Sequence, residues 1–133
     1  MTTLVDTSVW SLALRRDSLP AIPEIEELRR ALAAGAVVGT GLVLQELLQG
    51  FSKPKAHQQI IERFRALPLV VPDRDDHIGA AELRNRCRRR GVQVGTIDAL
   101  LAQLCIRHDL QMLSTDKDFQ AIGKMVSLSV WAP

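Results

Sequence analysis

Short apolar runs alternate along this chain with longer segments of helical period. Thr2–Val5 reads as a strand ending at Asp6, and Thr7-Ser8-Val9-Trp10 then supplies an N-cap and the first turn of a helix. Pro20 and Pro23 punctuate, and Pro23 with Glu24, Glu26 and Glu27 starts a helix that continues through Leu28 and Leu32 and closes at Gly35. Ala36–Gly39 is a very short buried strand, Thr40–Gln49 a helix ended by Gly50, and Pro54–Leu67 a helix with Ile60, Ile61, Phe64 and Leu67 at helical spacing. Leu69–Val71 is a strand stopped by Pro72. Asp73–Arg90 follows as a long polar helix, capped by Asp73 and terminated at Gly91. Thr96–His108 is a mostly apolar helix, Leu110–Ser114 a strand, Asp116–Ile122 a short helix and Met125–Val130 a last strand. Strands separated by helices imply crossover connections, hence an α/β fold: a three-layer α/β/α sandwich around a mainly parallel sheet of about five strands.

Length and composition narrow this further. The chain has 133 residues, a size expected of one domain spanning 1–133. Apolar residues make up 47% and aromatics only 4%, so the core must be aliphatic. The net charge of +2 is a weak signal for a polyanionic partner. Apolar stretches near Ala31–Leu48 are interrupted by Gly35, Gly39, Gly41, Gln45 and Glu46, so no membrane span is expected. The first residues lack a basic segment and an apolar stretch of the kind a signal peptide needs. Cys87 and Cys105 make neither a disulfide framework nor a zinc site. A cytoplasmic protein with reduced thiols is the expectation. Trp10 and Trp131 are candidates to pack together, and His57, His77 and His108 read as surface or helix-end residues.

The chemistry lies in acids placed where hydrophobic segments end or begin. Asp6 follows the first strand and Asp116 the fourth, where ligands of open α/β sheets bind. Either could instead cap a helix. Asp118 is a secondary candidate, with a solvated first-turn acid as the alternative. On a helical wheel Thr96, Gln103 and Arg107 fall within about 20° of one another and define a solvent face, and Asp98 lies roughly 200° from Thr96. A carboxylate on the apolar side is costly unless it is paired or bound to metal. Glu46 borders Gln45 and Gln49 and could face solvent.

Four segments then resemble, in order and spacing, a PIN domain, and within that family the VapC-type ribonuclease toxins of bacterial toxin–antitoxin pairs. They are Leu4–Trp10, Gln45–Gly50, Gly95–Ala102 and Leu113–Phe119, so the likeness covers nearly the whole chain. The resemblance implies that Asp6, Glu46, Asp98 and Asp116 are catalytic and metal-binding, with Asp118 contributing to a second metal. It also implies that Ser8 and Thr115 carry accessory hydroxyls near the acids, although both could equally be helix caps. A cognate antitoxin and a homodimer are further expectations of the same resemblance.

All-oxygen ligands suit Mg²⁺ or Mn²⁺, which can stabilise phosphoryl charge and activate water for in-line attack on an RNA phosphodiester. Arg84, Arg86, Arg88, Arg89 and Arg90 crowd one helix end and are candidates for RNA phosphate contact, with a solvated face as the alternative. Lys53, Lys55, Arg15 and Arg16 are weaker candidates. The competing classes are another Mg²⁺-dependent phosphate hydrolase and a non-catalytic interaction module. A dehalogenase-like phosphatase would need a second acid at position 8, and a receiver domain is poorly matched by Leu69–Asp73.

Overall fold

The computed structural model describes residues 1–15 and 22–133. Arg16 and Pro20 lie outside the described residues. The elements in chain order are β1 (Thr3–Val5), α1 (Thr7–Leu14), α2 (Pro23–Ala33), β2 (Val37–Val38), α3 (Gly41–Gly50), α4 (Pro54–Arg65), α5 (Arg74–Arg89), α6 (Thr96–Arg107), β3 (Gln111–Leu113), α7 (Asp118–Gly123) and β4 (Ser129–Val130).

The sheet order is β2-β1-β3-β4 and each pairing is parallel. Central β1 is buried at all three positions, and successive side chains of a strand point to opposite faces, so helices cover both sides of the sheet. This is the expected three-layer architecture with one strand fewer. Leu69–Val71 forms only a parallel bridge, Leu69 opposite Gly39, held by Gly39 N–H to Pro68 O (2.9 Å) and Val70 N–H to Gly39 O (2.8 Å). Pro68 and Pro72 flank this segment and limit the ladder it can form. The last strand is also shorter than the sequence predicts. The N–H groups of Met125 and Val126 still bond to Ile122 O, so the chain leaves α7 through a turn before pairing with β3.

Local signals explain the helix ends. Gly35 (φ +65°) and Gly91 (φ +81°) take the left-handed conformation that closes α2 and α5. Asp73 caps α5 in a reciprocal box, its carboxylate accepting from Asp76 N–H and the Asp76 carboxylate accepting from Asp73 N–H, each at 2.9 Å. The core is aliphatic, with Leu4, Val5, Leu101, Leu104 and Met112 fully buried and Phe119 the largest side chain among them. Trp10 packs on Phe64 (ring centroids 5.3 Å apart) rather than on Trp131. Burial pushes the Cys105 thiol up to about 12, which makes it an inert core residue. No described helix is long and apolar enough to cross a membrane.

Of the solvent face expected from the helical wheel, Thr96 and Arg107 are exposed and only Gln103 is partly covered by α5. A Cβ on Gly79 would stand 2.6 Å from Gln103 Nε2, so a side chain there would require the Gln103 amide to move. Arg107 clamps the start of α5, donating to the fully buried Asp76 carboxylate and pairing with Asp73 Oδ2 at 3.0 Å. Removing Arg107 leaves a buried carboxylate unneutralised. Arg107→Ala is therefore expected to cost about 2 kcal/mol, below a fully buried pair because the guanidinium is partly exposed. Arg29→Ala, which breaks an exposed pair with Glu26, should leave the urea midpoint unchanged.

Candidate metal centre

Register builds the first part of the site. Val5 lies opposite Leu113 across the parallel pair, so the next residues, Asp6 and Ser114, leave the sheet side by side. Ser114 Oγ donates to Asp6 Oδ2 at 2.8 Å, and Ser8 Oγ donates to the same oxygen at 2.9 Å. Asp6 occupies the N-cap position of α1 yet its side chain makes no capping bond. Capping therefore does not account for its carboxylate, which is buried at 7% exposure. Both hydroxyls go to Oδ2, which leaves Oδ1 without a donor among the described residues.

Glu46 comes from the other side of β1. It is half-buried on α3, and its Oε1 accepts from Thr7 Oγ1 at 2.9 Å. Its local sequence left it free to face solvent, while the family resemblance placed it among the acids; the packing of α1 against α3 turns it inward. Thr7 is a residue the sequence reading missed, because its partner is distant in the chain.

Asp98 lies in the first turn of α6 and is half-buried. Asp116 and Asp118 are exposed and linked, Asp118 N–H donating to Asp116 Oδ1 at 2.9 Å. That bond explains why α7 begins at Asp118 and not at Asp116. One carboxylate oxygen from each of Asp98, Asp116 and Asp118 lies within 4.8 Å of the others. Asp118, a secondary candidate in the sequence, thus stands in the tightest acidic group, with Asp6 and Glu46 close enough to act on it electrostatically.

The hydroxyl beside the acids at this strand end belongs to Ser114, not Thr115. Thr115 is exposed and contributes its backbone N–H to Ser8 Oγ (3.2 Å), while Ser114 Oγ also accepts from Asp116 N–H (2.9 Å). The basic residues separate in the same way. Arg84 Nε donates to Val94 O at 2.7 Å and ties α5 to the segment before α6, whereas Arg86, Arg88, Arg89 and Arg90 are exposed. Lys53, Lys55 and Arg15 are exposed as well.

Charge is the defining property of this centre. None of the ion pairs among the described residues involves Asp6, Glu46, Asp98, Asp116 or Asp118. Burial, and then the charges of Asp6, Asp116, Asp118 and Glu46, push the Asp98 carboxyl up to about 6. Converging carboxylates without an ion pair among the described residues, offering only oxygen, fit a hard divalent cation such as Mg²⁺ or Mn²⁺. Histidine and cysteine, which softer metals prefer, are absent from the grouped ligands.

A PIN domain family model matches residues 3–125. The VapC ribonuclease Mb1587 of Mycobacterium bovis and ribonuclease VapC11 of Mycobacterium tuberculosis are each 32% identical over 127 residues, covering 94% of this chain and 94% of theirs. Among solved structures, FitAB bound to IR36 DNA fragment has a TM-score of 0.77 at 18% identity, covering 98% of this chain and 94% of that one. VapBC2 from Rickettsia felis, bound to a promoter DNA fragment, gives 0.75 at 18% identity, with 99% and 100% covered. VapC20 of Mycobacterium tuberculosis, a sarcin-ricin loop cleaving toxin, gives 0.67 at 18%, with 96% and 98% covered.

A raised carboxyl pKa sets the direction of two pH effects. The folded chain holds the Asp98 proton more tightly than the unfolded chain, so cation-free stability falls as pH rises from about 4 through about 6. In chelator, Asp98→Asn should melt above the parent protein at about pH 7.5, with the difference gone by about pH 4. Proton and cation compete for the same oxygens, so Mg²⁺ or Mn²⁺ affinity of the parent should climb through about pH 6 and level off above about pH 7. Thermal melting with and without the cation across this range checks both.

Proposed function

Since the chain belongs to the PIN-domain family and, within it, to the VapC ribonucleases, we propose that it is the ribonuclease toxin of a toxin–antitoxin pair, hydrolysing RNA phosphodiesters with a divalent cation. The observation that carries this reading is the group Asp98, Asp116 and Asp118, set beyond the carboxyl end of a parallel strand with no ion pair to it among the described residues. Asp98, Asp116 and Asp118 would hold the cation, with Asp6 and Glu46 completing the acidic wall. When bound there, Mg²⁺ or Mn²⁺ would supply charge neutralisation at the phosphoryl oxygens and a more acidic water.

The side chains around the acids do the positioning. Ser8 and Ser114 fix the Asp6 carboxylate through Oδ2 and leave Oδ1 available. Thr7 holds Glu46 against α1. Asp98 must be ionised to take part, which places activity on the alkaline side of its shifted pKa. No histidine bonds to these acids among the described residues; His57, for one, is engaged with Leu48 O at 2.7 Å. Hydrolysis by water in line with the leaving oxygen gives a 3′-hydroxyl and a 5′-phosphate. In this reading the protein is a cytoplasmic single domain that forms a homodimer and is held in check by a cognate antitoxin, the last of these supported by solved structures of similar fold that are toxin–antitoxin complexes.

Asp98→Asn should lower RNA cleavage by more than about a hundredfold while keeping the fold, because a ligand charge is lost at nearly constant volume. Full cleavage in chelator, or products ending in a cyclic phosphate, would overturn the hydrolytic reading. The hydroxyl assignment has its own test. Ser114→Ala removes a bond to a charged oxygen and should slow cleavage about tenfold, whereas Thr115→Val should leave the rate unchanged. The reverse order would return the accessory role to Thr115.

A further inference from the structure

An open groove of about 850 Å³ runs along the α5–α6 hairpin and the end of α7. Arg86 and Arg89 reach it from α5, Gln103 and Ile106 from α6, and Lys124 and Met125 from the end of α7. All three cations are exposed, and none forms an ion pair among the described residues. Arg29, Arg30 and Arg107, by contrast, are paired, and Arg84 is spent on a backbone carbonyl. Glu82, the one carboxylate lining the groove, stands four residues before Arg86, a spacing that favours pairing, yet the two are not bonded. The groove therefore keeps three uncommitted cations against one acid.

Its position relative to the acidic centre matters as much. The two helices whose first turns carry Asp98 and Asp118 run into it. At 1.5 Å per residue, Gln103 lies roughly 8 Å along α6 from Asp98, and Lys124 roughly 9 Å along α7 from Asp118. Gln103 also stands about 140° around α6 from Asp98, so a single strand rising about 3.4 Å per nucleotide curves around the helix and needs more than about three nucleotides to join groove and centre. We propose that this groove is the track for the phosphate backbone of RNA flanking the scissile bond, with Arg86, Arg89 and Lys124 as its phosphate contacts. The assignment rests on the ribonuclease reading above. It differs from a general attraction to the arginine-rich helix end, because Arg88 and Arg90 do not line the groove.

The test measures binding of a single-stranded RNA of about a dozen nucleotides, long enough to span centre and groove, by fluorescence anisotropy in Mg²⁺ at several salt concentrations. The parent for binding is the Asp98→Asn protein, which separates affinity from turnover. Arg86→Glu/Arg89→Glu on that parent should weaken binding about tenfold and lower the slope of log affinity against log salt by between about 1 and 2, as expected for two lost phosphate contacts. Arg88→Glu/Arg90→Glu makes the same change of net charge outside the groove and should lower the slope by less than half as much. Lys124→Glu alone should show about half the effect of the groove pair. An unchanged slope for the groove pair, or an equal loss for the two pairs, overturns the track, and unchanged melting temperatures exclude misfolding as the cause. The ribonuclease reading is judged separately, from cleavage of the same RNA by the unsubstituted protein in Mg²⁺. Cleavage with a groove-independent slope removes the track alone, and groove-dependent binding without cleavage removes the ribonuclease reading alone.

Discussion

In the parallel register of β1 with β3, Val5 stands opposite Leu113, and everything at the acidic centre follows from what comes next on each strand. Asp6 and Ser114 emerge side by side, and the Asp6 N–H is still held by Leu113 O at 2.9 Å. A slip of one residue would turn the side chains of β1 to the opposite face and send Asp6 away from its hydroxyl partners. The burial of Leu4 and Val5 makes such a slip expensive. The carboxylates do not assemble because they attract one another; they repel, and these like charges add to burial, the larger cause, in raising the Asp98 pKa. Hydrophobic register and helix packing force the charges together, and helix N-termini at Asp98 and Asp118 relieve part of the cost.

Much of this was legible because it is local. Strand ends located Asp6 and Asp116, and the apolar run after Asp98 marked that acid as unusual. Gly35 and Gly91 announced two helix ends correctly. The features that the local sequence left open or missed are non-local ones. Glu46 sits next to glutamines in sequence, and only the approach of α1 to α3 gives it Thr7 as a partner. Ser114 and Thr115 are adjacent hydroxyls, and only the register with β1 decides which faces Asp6. The strand at Leu69–Val71 had the right composition, but flanking prolines left it a single bridge. Asp109 closes α6 at φ +53°, where no glycine signals the end.

Two aspartates on the α5–α6 hairpin show what separates a structural acid from a candidate ligand. Asp76 is the more deeply buried, with no exposed surface, while Asp98 is only half-buried. By burial alone Asp76 would be the stronger site candidate. Its charge, however, is answered twice, by Arg107 and by the N–H of Asp73 within the capping box. That pairing fastens the start of α5 to the end of α6, at the opposite end of α6 from Asp98. Asp98 has acids for neighbours and no ion pair among the described residues, so its ionised form is open to stabilisation by a bound cation. Burial measures how costly a charge is, and the identity of its neighbours decides who bears that cost. At Asp76 the fold supplies the counter-charge itself, whereas Asp98, grouped with Asp116 and Asp118, is left to a proton or a bound cation.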